Sequence, residues 1–299
     1  MKKFALAALG LAFAASATPA LAAETPGYCP AGGAISFGVE PFESASLLMP
    51  IYQKIGKLLS AKIGCRVKIY ITTSYNAEIE AMRAGKLDIG EFGPLGYVLA
   101  HQVADAQAVA SIADADGKPA SYTASIATWP GSGITTLAQV RGHTFAYSDP
   151  ASTSGHLFPA YALEKAGINP NKGIKPLYAG SHTESYEALL NHKVAAGEMN
   201  SQVITAAELA HNYNPKDFVV LWKSKPIPVD PITVYGKLNP ALKARLTKAL
   251  QYLKLTTLTP EEVKVLGSST GELVPQTNAA YDQIRDLVHV LNINLNKMS

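Results

Sequence analysis

Short apolar runs alternate with longer amphipathic runs along the first third of the chain. Residues 34–40 (AISFGVE) place their large apolar side chains at every second position, as a strand with one buried face does. Residues 46–64 repeat apolar side chains at helical spacing and end at Gly64, a residue typical of helix C-termini. The alternation continues through residue 104, so the pattern predicts a parallel sheet with helical crossovers.

The same pattern starts again near residue 125. Residues 122–128 form a strand candidate, and further helix and strand candidates follow up to residue 224. The proline-rich residues 227–236 form an extended crossing segment, and amphipathic helices at 239–254 and 278–297 complete the chain.

The restart predicts an α/β protein with two lobes and a ligand cleft between them. We expect one lobe over residues 23–125, with residues 230–299 returning to it, and a second lobe over residues 126–229. Two crossing segments would let the lobes close over a ligand by hinge bending. One continuous α/β sheet is the alternative interpretation.

The first 22 residues have the features of a secretory signal peptide. Lys2 and Lys3 precede an apolar run that is too short to span a membrane, and Ala20-Leu21-Ala22 matches a cleavage site. Without these two lysines the chain has 24 Lys and Arg against 23 Asp and Glu, a net charge of +1. This balance does not indicate a nucleic-acid partner.

The two cysteines, Cys29 and Cys65, each precede a predicted strand. If those strands are parallel neighbours, the cysteines lie at one end of the sheet and can bridge, and an even number of cysteines in an exported chain favours a disulfide. A reactive thiol pair or a metal site is the alternative, although the chain has neither a CxxC motif nor a nearby histidine ligand.

The segment SDPASTSGH (148–156) has the clearest candidate chemistry, with consecutive hydroxyls at Ser152, Thr153 and Ser154. A helix that begins near Ser154 needs one such cap rather than three. Free N–H groups and hydroxyls at a helix start bind anions, and Gly155 lets a ligand approach the backbone. No Lys or Arg lies within residues 143–164, which favours a small tetrahedral oxyanion over a polyanion. Simple helix capping remains the alternative.

Further polar side chains follow other predicted strands. His182 follows a strand in the second lobe, where ligands of parallel sheets collect, and Glu198 and Asn200 end the next strand. Tyr75 and Tyr97 follow strands of the first lobe and offer both an apolar surface and a hydroxyl. Each of these residues alone also fits a purely structural role.

An exported hydrolase is a competing interpretation of the same residues. Ser152 or Ser154 would act as the nucleophile, with His156 or His182 as the base. The chain lacks a GxSxG motif, and no sequence motif places an acid beside a histidine.

Three segments resemble the periplasmic phosphate-, phosphite- and phosphonate-binding proteins of ABC importers. They are YNAEIEAMRAGKLDIGEFGPLGYVLA, SDPASTSGHLFPAYALEKAGI and GSHTESYEALLNHKVAAGEMNS. The resemblance implies a type II periplasmic-binding-protein fold, a periplasmic monomer without enzymatic activity, cofactor or metal, and an inner-membrane permease as partner. A periplasmic sensor that presents an oxyanion such as arsenite or a phosphonate to a membrane histidine kinase is the alternative.

The resemblance also implies roles for individual residues. The hydroxyls of residues 152–154 would donate to the ligand's oxygens, and His182, Tyr75 and Tyr97 would line the cleft. Asn200 would be the contact from its strand, with Glu198 in reserve. The chain departs from the family pattern at Thr183 and Glu91, and its opening loop carries Glu40 and Glu43. Glu40, Glu43 and Glu91 are therefore candidates to contact a ligand substituent, and the sequence does not decide among them.

Overall fold

The computed structural model describes residues 26–291 and 293, and over these residues the chain forms three sheets and nine α-helices. The predicted signal peptide lies outside the described residues. The strands are β1 (Ala34–Val39), β2 (Arg66–Ile71), β3 (Ile89–Glu91), β4 (Ala106–Ile112), β5 (Ser121–Tyr122), β6 (Ala124–Thr128), β7 (Thr144–Tyr147), β8 (Lys175–Tyr178), β9 (Ala196–Asn200), β10 (Val219–Lys223), β11 (Ile227–Pro228), β12 (Pro231–Tyr235) and β13 (Leu273–Pro275).

The helices are α1 (Ala45–Ile63), α2 (Tyr75–Arg83), α3 (Pro94–Ala104), α4 (Phe158–Lys165), α5 (His182–Leu190), α6 (Ser201–Leu209), α7 (Pro240–Leu250), α8 (Pro260–Val265) and α9 (Asp282–Val290). Helix α1 shows how the sequence pattern sets these bounds, because Leu48, Ile51, Ile55 and Leu59 are buried and Gly64 ends it in the left-handed conformation with φ 75°. Within the described part of the chain, no helix has the length and apolar character that a membrane span requires.

The first sheet has the strand order β13-β4-β12-β3-β1-β2. Strand β1 pairs in parallel with β2 and β3, as predicted, whereas β12 runs antiparallel to β3 and β4. Because β12 runs in the opposite direction to β3, its first residues lie at the sheet edge where β1 and β3 end.

The second sheet has the order β10-β6-β9-β7-β8 and repeats this arrangement. Strand β7 is parallel to β8 and β9, and β6 runs antiparallel to β9, with Ala124 opposite Asn200. The start of β6 therefore lies beside the ends of β7 and β9.

Two short strands join the parts of the chain that form these sheets. Strands β5 and β11 pair antiparallel, with Tyr122 opposite Ile227. Residues on either side of this pair enter different sheets, since β4 and β12 belong to the first sheet and β6 and β10 to the second. The chain thus crosses between the sheets twice, side by side.

Cys29 and Cys65 form a disulfide, which confirms the prediction. Their Cα atoms lie 5.8 Å apart because β1 and β2 are parallel neighbours, with Ala34 opposite Arg66. The bridge lies at the strand starts, away from the edge where the polar side chains collect.

The structure differs from the sequence pattern in several places, and α6, α8 and β13 are among the elements that were not predicted. Strand β4 was not predicted, because its Ala- and Ser-rich sequence AQAVASI shows little apolar alternation. The helix predicted near Ser154 begins as a π-helical turn at Thr153–Leu157, before α4. The helix predicted over 278–297 is a 3-10 turn at Asn278–Tyr281 followed by α9, and its last predicted residues lie outside the described part of the chain.

Candidate functional site

The carboxyl ends of the parallel strands in both sheets face one buried cavity of about 10 Å³. Since a water molecule needs roughly 10–15 Å³, the walls are nearly in contact. The residues lining the cavity are Glu40, Phe42, Tyr75, Gly93, Tyr122, Ser152, Thr153, Ser154, His182, Asn200, Gln202 and Asp230.

The predicted hydroxyl loop lies in the cavity wall, and all three of its side chains are 1% exposed. Ser152 caps the π-helical turn, because its Oγ accepts a hydrogen bond of 3.1 Å from the Gly155 N–H. Gly155 is required here for packing, since a Cβ atom would lie 1.7 Å from the Ser148 Oγ. Gly155 therefore has a packing role within the protein, and its predicted role in letting a ligand approach the backbone stays a prediction.

Ser154 and Thr153 have different partners. The Ser154 Oγ accepts a hydrogen bond of 3.2 Å from Asn200 Nδ2, while Asn200 Oδ1 caps α6. The Thr153 Oγ1 accepts from the Leu95 N–H of α3 at 2.8 Å, so it connects the second sheet's loop to a helix of the first sheet. The hydroxyls of Thr153 and Ser154 also lie beside that of Tyr122. Each retains a hydrogen that can be donated.

His182 lies at the start of α5 and faces two of these hydroxyls. Its Nε2 is 3.4 Å from both Ser152 Oγ and Ser154 Oγ, and its Nδ1 is 2.9 Å from Glu198 Oε1. Burial alone would lower the pKa of His182, but the surrounding carboxylates, Glu198 foremost, raise it above its usual value. The surroundings of this ring thus favour its protonation more than water does.

The remaining predicted residues divide between the cavity and its surroundings. Tyr75 and Asn200 line the cavity, as does Glu40 from the opening loop. Glu198 does not line it, because its carboxylate is directed at His182. The Glu198 contact also supplies an acid beside a histidine, which the sequence motifs had not placed.

Tyr97 lies outside the cavity, contrary to expectation. Its hydroxyl donates to Asn278 Oδ1 at 2.8 Å, and its ring centroid lies 4.8 Å from that of Tyr281. The physical reason is position within the helix: Tyr75 is the first residue of α2, at the sheet edge, whereas Tyr97 is the fourth residue of α3 and faces another direction.

Four further residues that line the cavity were not predicted as site residues from the sequence: Asp230, Tyr122, Gln202 and Phe42. Asp230 precedes β12, and only the antiparallel pairing of β12 brings it to the edge where β1 and β3 end. Tyr122 belongs to the crossing pair. The sequence signal for Asp230 was its position as an acidic residue between Val229 and Pro231, within the extended segment at 227–236.

The cavity is acidic, apart from His182. Burial raises the pKa of Glu40 well above its usual value, the neighbouring Asp230 raises it further, and burial raises the pKa of Asp230 to about 7. Among the described residues that line the cavity, none is Lys or Arg. Glu43 and Glu91 do not line it, since Thr183 donates to Glu43 and Glu91 lies beside Tyr52.

These groups can hold a small anion by hydrogen bonds and accommodate a positive or protonated group. Two such sheets, joined by two crossings with polar groups at facing edges, are the arrangement of a two-lobed solute-binding protein. The family model for the phosphonate periplasmic substrate-binding protein of ABC transporters matches residues 37–281. The chain belongs to this family.

The sequence comparisons agree with this assignment. The phosphonates-binding periplasmic protein of Escherichia coli is 30% identical over 256 residues, covering 81% of this chain and 74% of that protein. The phosphate-import protein PhnD of Mycolicibacterium smegmatis is 26% identical over 274 residues, covering 86% and 85%.

A structural comparison agrees with the predicted fold. The structure of PhnD1 from Prochlorococcus marinus, in complex with methylphosphonate, has a TM-score of 0.76 at 19% identity, covering 87% of this chain and 98% of that one. The fold is thus the predicted type II periplasmic-binding-protein fold. The comparisons give no support to the sensor interpretation.

Proposed function

We propose that this chain captures small phosphonates that carry an ammonium group and delivers them to an ABC permease. The observation that carries the proposal is the pairing of two chemistries in one cavity. Buried hydroxyls and a histidine come from the second sheet's edge, whereas the carboxyl groups Glu40 and Asp230 come from the first.

The hydroxyl side suits a phosphonate group. Ser152, Thr153 and Ser154 each have a hydrogen to donate, and His182 adds a donor with a positive charge. Because these bonds are directional and buried, they favour a tetrahedral oxyanion that fits them over other anions of equal charge.

The carboxyl side suits an ammonium group. Burial raises the pKa of Glu40 well above its usual value and that of Asp230 to about 7, so the protonated forms of both are favoured when no cation is near. An ammonium group beside them would favour ionisation, and the two new charge-assisted hydrogen bonds would strengthen binding. Glu198 already binds His182, so these two lining residues are better placed for the cation.

Phosphate or phosphite is a second candidate, which the small cavity favours. An ionised Asp230 can accept from a protonated ligand oxygen, and a protonated Asp230 can donate to a charged one. A compact ligand also requires less separation of the walls around the 10 Å³ cavity than a phosphonate with a tail does.

Capture would proceed by movement of two lobes. One lobe comprises residues 23–125 and 230–299, and the other comprises residues 126–229. The paired crossing strands β5 and β11 support this division, because the chain changes sheet at both. The predicted signal peptide supports a periplasmic location. We propose that the binding protein is a monomer.

We infer that the arrangement binds without catalysis, although Ser152, His182 and Glu198 lie in the order of a hydrolase triad. What supports this inference is the match to a substrate-binding component of ABC transporters, since a carboxylate beside the histidine is also part of a hydrolase triad. The test is a burst of product from activated esters or phosphoesters, which we do not expect.

Isothermal titration calorimetry of the purified protein tests the ligand class. We expect 1:1 binding with 2-aminoethylphosphonate tightest, ahead of methylphosphonate, phosphite and phosphate. Tightest binding of phosphate or phosphite would favour the second candidate, and no binding across the panel would overturn the phosphorus oxyanion assignment.

A further inference from the structure

Glu198 and His182 form a buried pair directly behind the hydroxyl loop. Their side chains are 0% and 4% exposed, and 2.9 Å separates Glu198 Oε1 from His182 Nδ1. Because a carboxylate accepts a hydrogen bond here, Nδ1 carries a hydrogen in either charge state of the ring. Only Nε2, on the side of the hydroxyls, changes its role when the ring gains a proton.

The two serine hydroxyls beside Nε2 have already used acceptor positions. Ser152 Oγ accepts from the Gly155 N–H, and Ser154 Oγ accepts from Asn200 Nδ2. Each serine therefore has one hydrogen to donate. A neutral His182 accepts one of these hydrogens at Nε2, whereas an imidazolium cannot, so both remain for an oxyanion and Nε2–H becomes a further donor.

Carboxyl groups from several elements face the His182 ring. Glu198 lies on β9, Glu43 follows β1, Asp230 precedes β12, and Asp149 follows β7. Of these, Glu198 makes the direct hydrogen bond. The surroundings on all these sides therefore favour the positively charged ring despite its burial.

We propose that Glu198 is a positioning residue for the anion, an inference that rests on the proposed function. Glu198 touches His182 and not the ligand. It orients the ring and keeps it a donor at Nε2, so that Ser152 and Ser154 remain free to bind the oxyanion. Glu198 thereby sets the number of donors that the site presents.

The first test needs no ligand. Long-range ¹H–¹⁵N spectra of the histidine rings, with the His182 signal assigned by its loss in His182→Gln, report the protonation of each ring nitrogen. At pH 7 we expect an imidazolium in the native protein and a neutral ring in Glu198→Gln. The control is Glu184→Gln, which removes an exposed carboxylate two residues away and should leave the His182 signals unchanged.

The second test is calorimetry with methylphosphonate at pH 7.5 and pH 5.5. Loss of a charge-assisted bond should weaken binding to Glu198→Gln by about tenfold or more at pH 7.5, and the loss should shrink at pH 5.5 as the ring gains its proton. Glu184→Gln should bind as the native protein does, and Glu198→Asp, which keeps the charge, should recover part of the affinity.

The outcomes separate this proposal from the proposed function. A neutral His182 in the native protein, or an unchanged ring in Glu198→Gln, would overturn the positioning role. A neutral ring in Glu198→Gln with unchanged methylphosphonate affinity would also overturn it. Failure of the native protein to bind any phosphonate would overturn the ligand assignment, whereas the spectra would still decide the state of the His182 ring.

Discussion

Glu43 gives the most direct test of how the two parts of the chain pack around the site. It follows β1 of the first sheet, is 3% exposed, and accepts a hydrogen bond from Thr183 of α5. Burial raises its pKa from 4.5 to about 7, although the bond from Thr183 opposes the shift. The folded state therefore binds more protons than the unfolded state between these pH values, and the free energy of unfolding falls as pH rises through this window.

The magnitude follows from the size of the shift. A pKa difference of this size between the folded and unfolded states changes the free energy of unfolding by about 2–3 kcal/mol between pH 5 and pH 8. The Glu43→Gln variant keeps the shape of the side chain but cannot ionise. Over this range, the free energy of unfolding of the native protein should therefore fall by about 2–3 kcal/mol more than that of the variant. Glu40, Glu91 and Asp230 also have raised pKa values, but they are present in both proteins and largely cancel.

The assay is urea unfolding followed by circular dichroism at both pH values. Glu164→Gln, which changes an exposed carboxylate at the end of α4, is the matched control and should keep the native pH dependence. Equal pH dependence in the native protein and Glu43→Gln would contradict the burial of this carboxyl group, because it would mean that Glu43 is solvated in the folded protein.

Three further predictions concern the ligand and the disulfide. In calorimetry, Ser154→Ala should weaken methylphosphonate binding by about 1–3 kcal/mol, whereas Tyr97→Phe should leave it unchanged. The reverse result would mean that Tyr97, and not Ser154, contacts the ligand. Asp230→Asn should weaken the binding of 2-aminoethylphosphonate by about tenfold or more and the binding of methylphosphonate less. It should also reduce the number of protons released on binding, which is measured by repeating the titration in buffers of different ionisation enthalpy. Equal losses of affinity for the two ligands would argue against an ammonium site. Cys29→Ser should lower the free energy of unfolding by up to about 4 kcal/mol without changing ligand preference, and a changed preference would contradict a purely structural disulfide.

Much of the fold was predictable because it depends on local patterns. The apolar spacing of α1 and the alternation in β1 each reflect one element packing on one core. Strand β4 was not predicted because its small Ala and Ser side chains carry little periodic signal, although it lies inside the first sheet.

The site was predictable only where its residues follow parallel strands. The hydroxyls of residues 152–154 and His182 follow β7 and β8 and could be assigned to one edge from the strand pattern. Asp230 and Tyr122 could not, because their positions depend on an antiparallel return and on pairing between the two crossings. Glu198 and Asn200 are two residues apart on β9, and only the three-dimensional contacts distinguish the partner of a histidine from a cavity-lining side chain.

A crystal structure with bound 2-aminoethylphosphonate would show how the ligand lies in the cavity. We expect phosphonate oxygens within hydrogen-bond distance of Ser152 Oγ, Ser154 Oγ and His182 Nε2, with the ammonium group at Glu40 and Asp230. A phosphonate group bound at these carboxyl groups, or an ammonium group directed to solvent, would contradict this orientation.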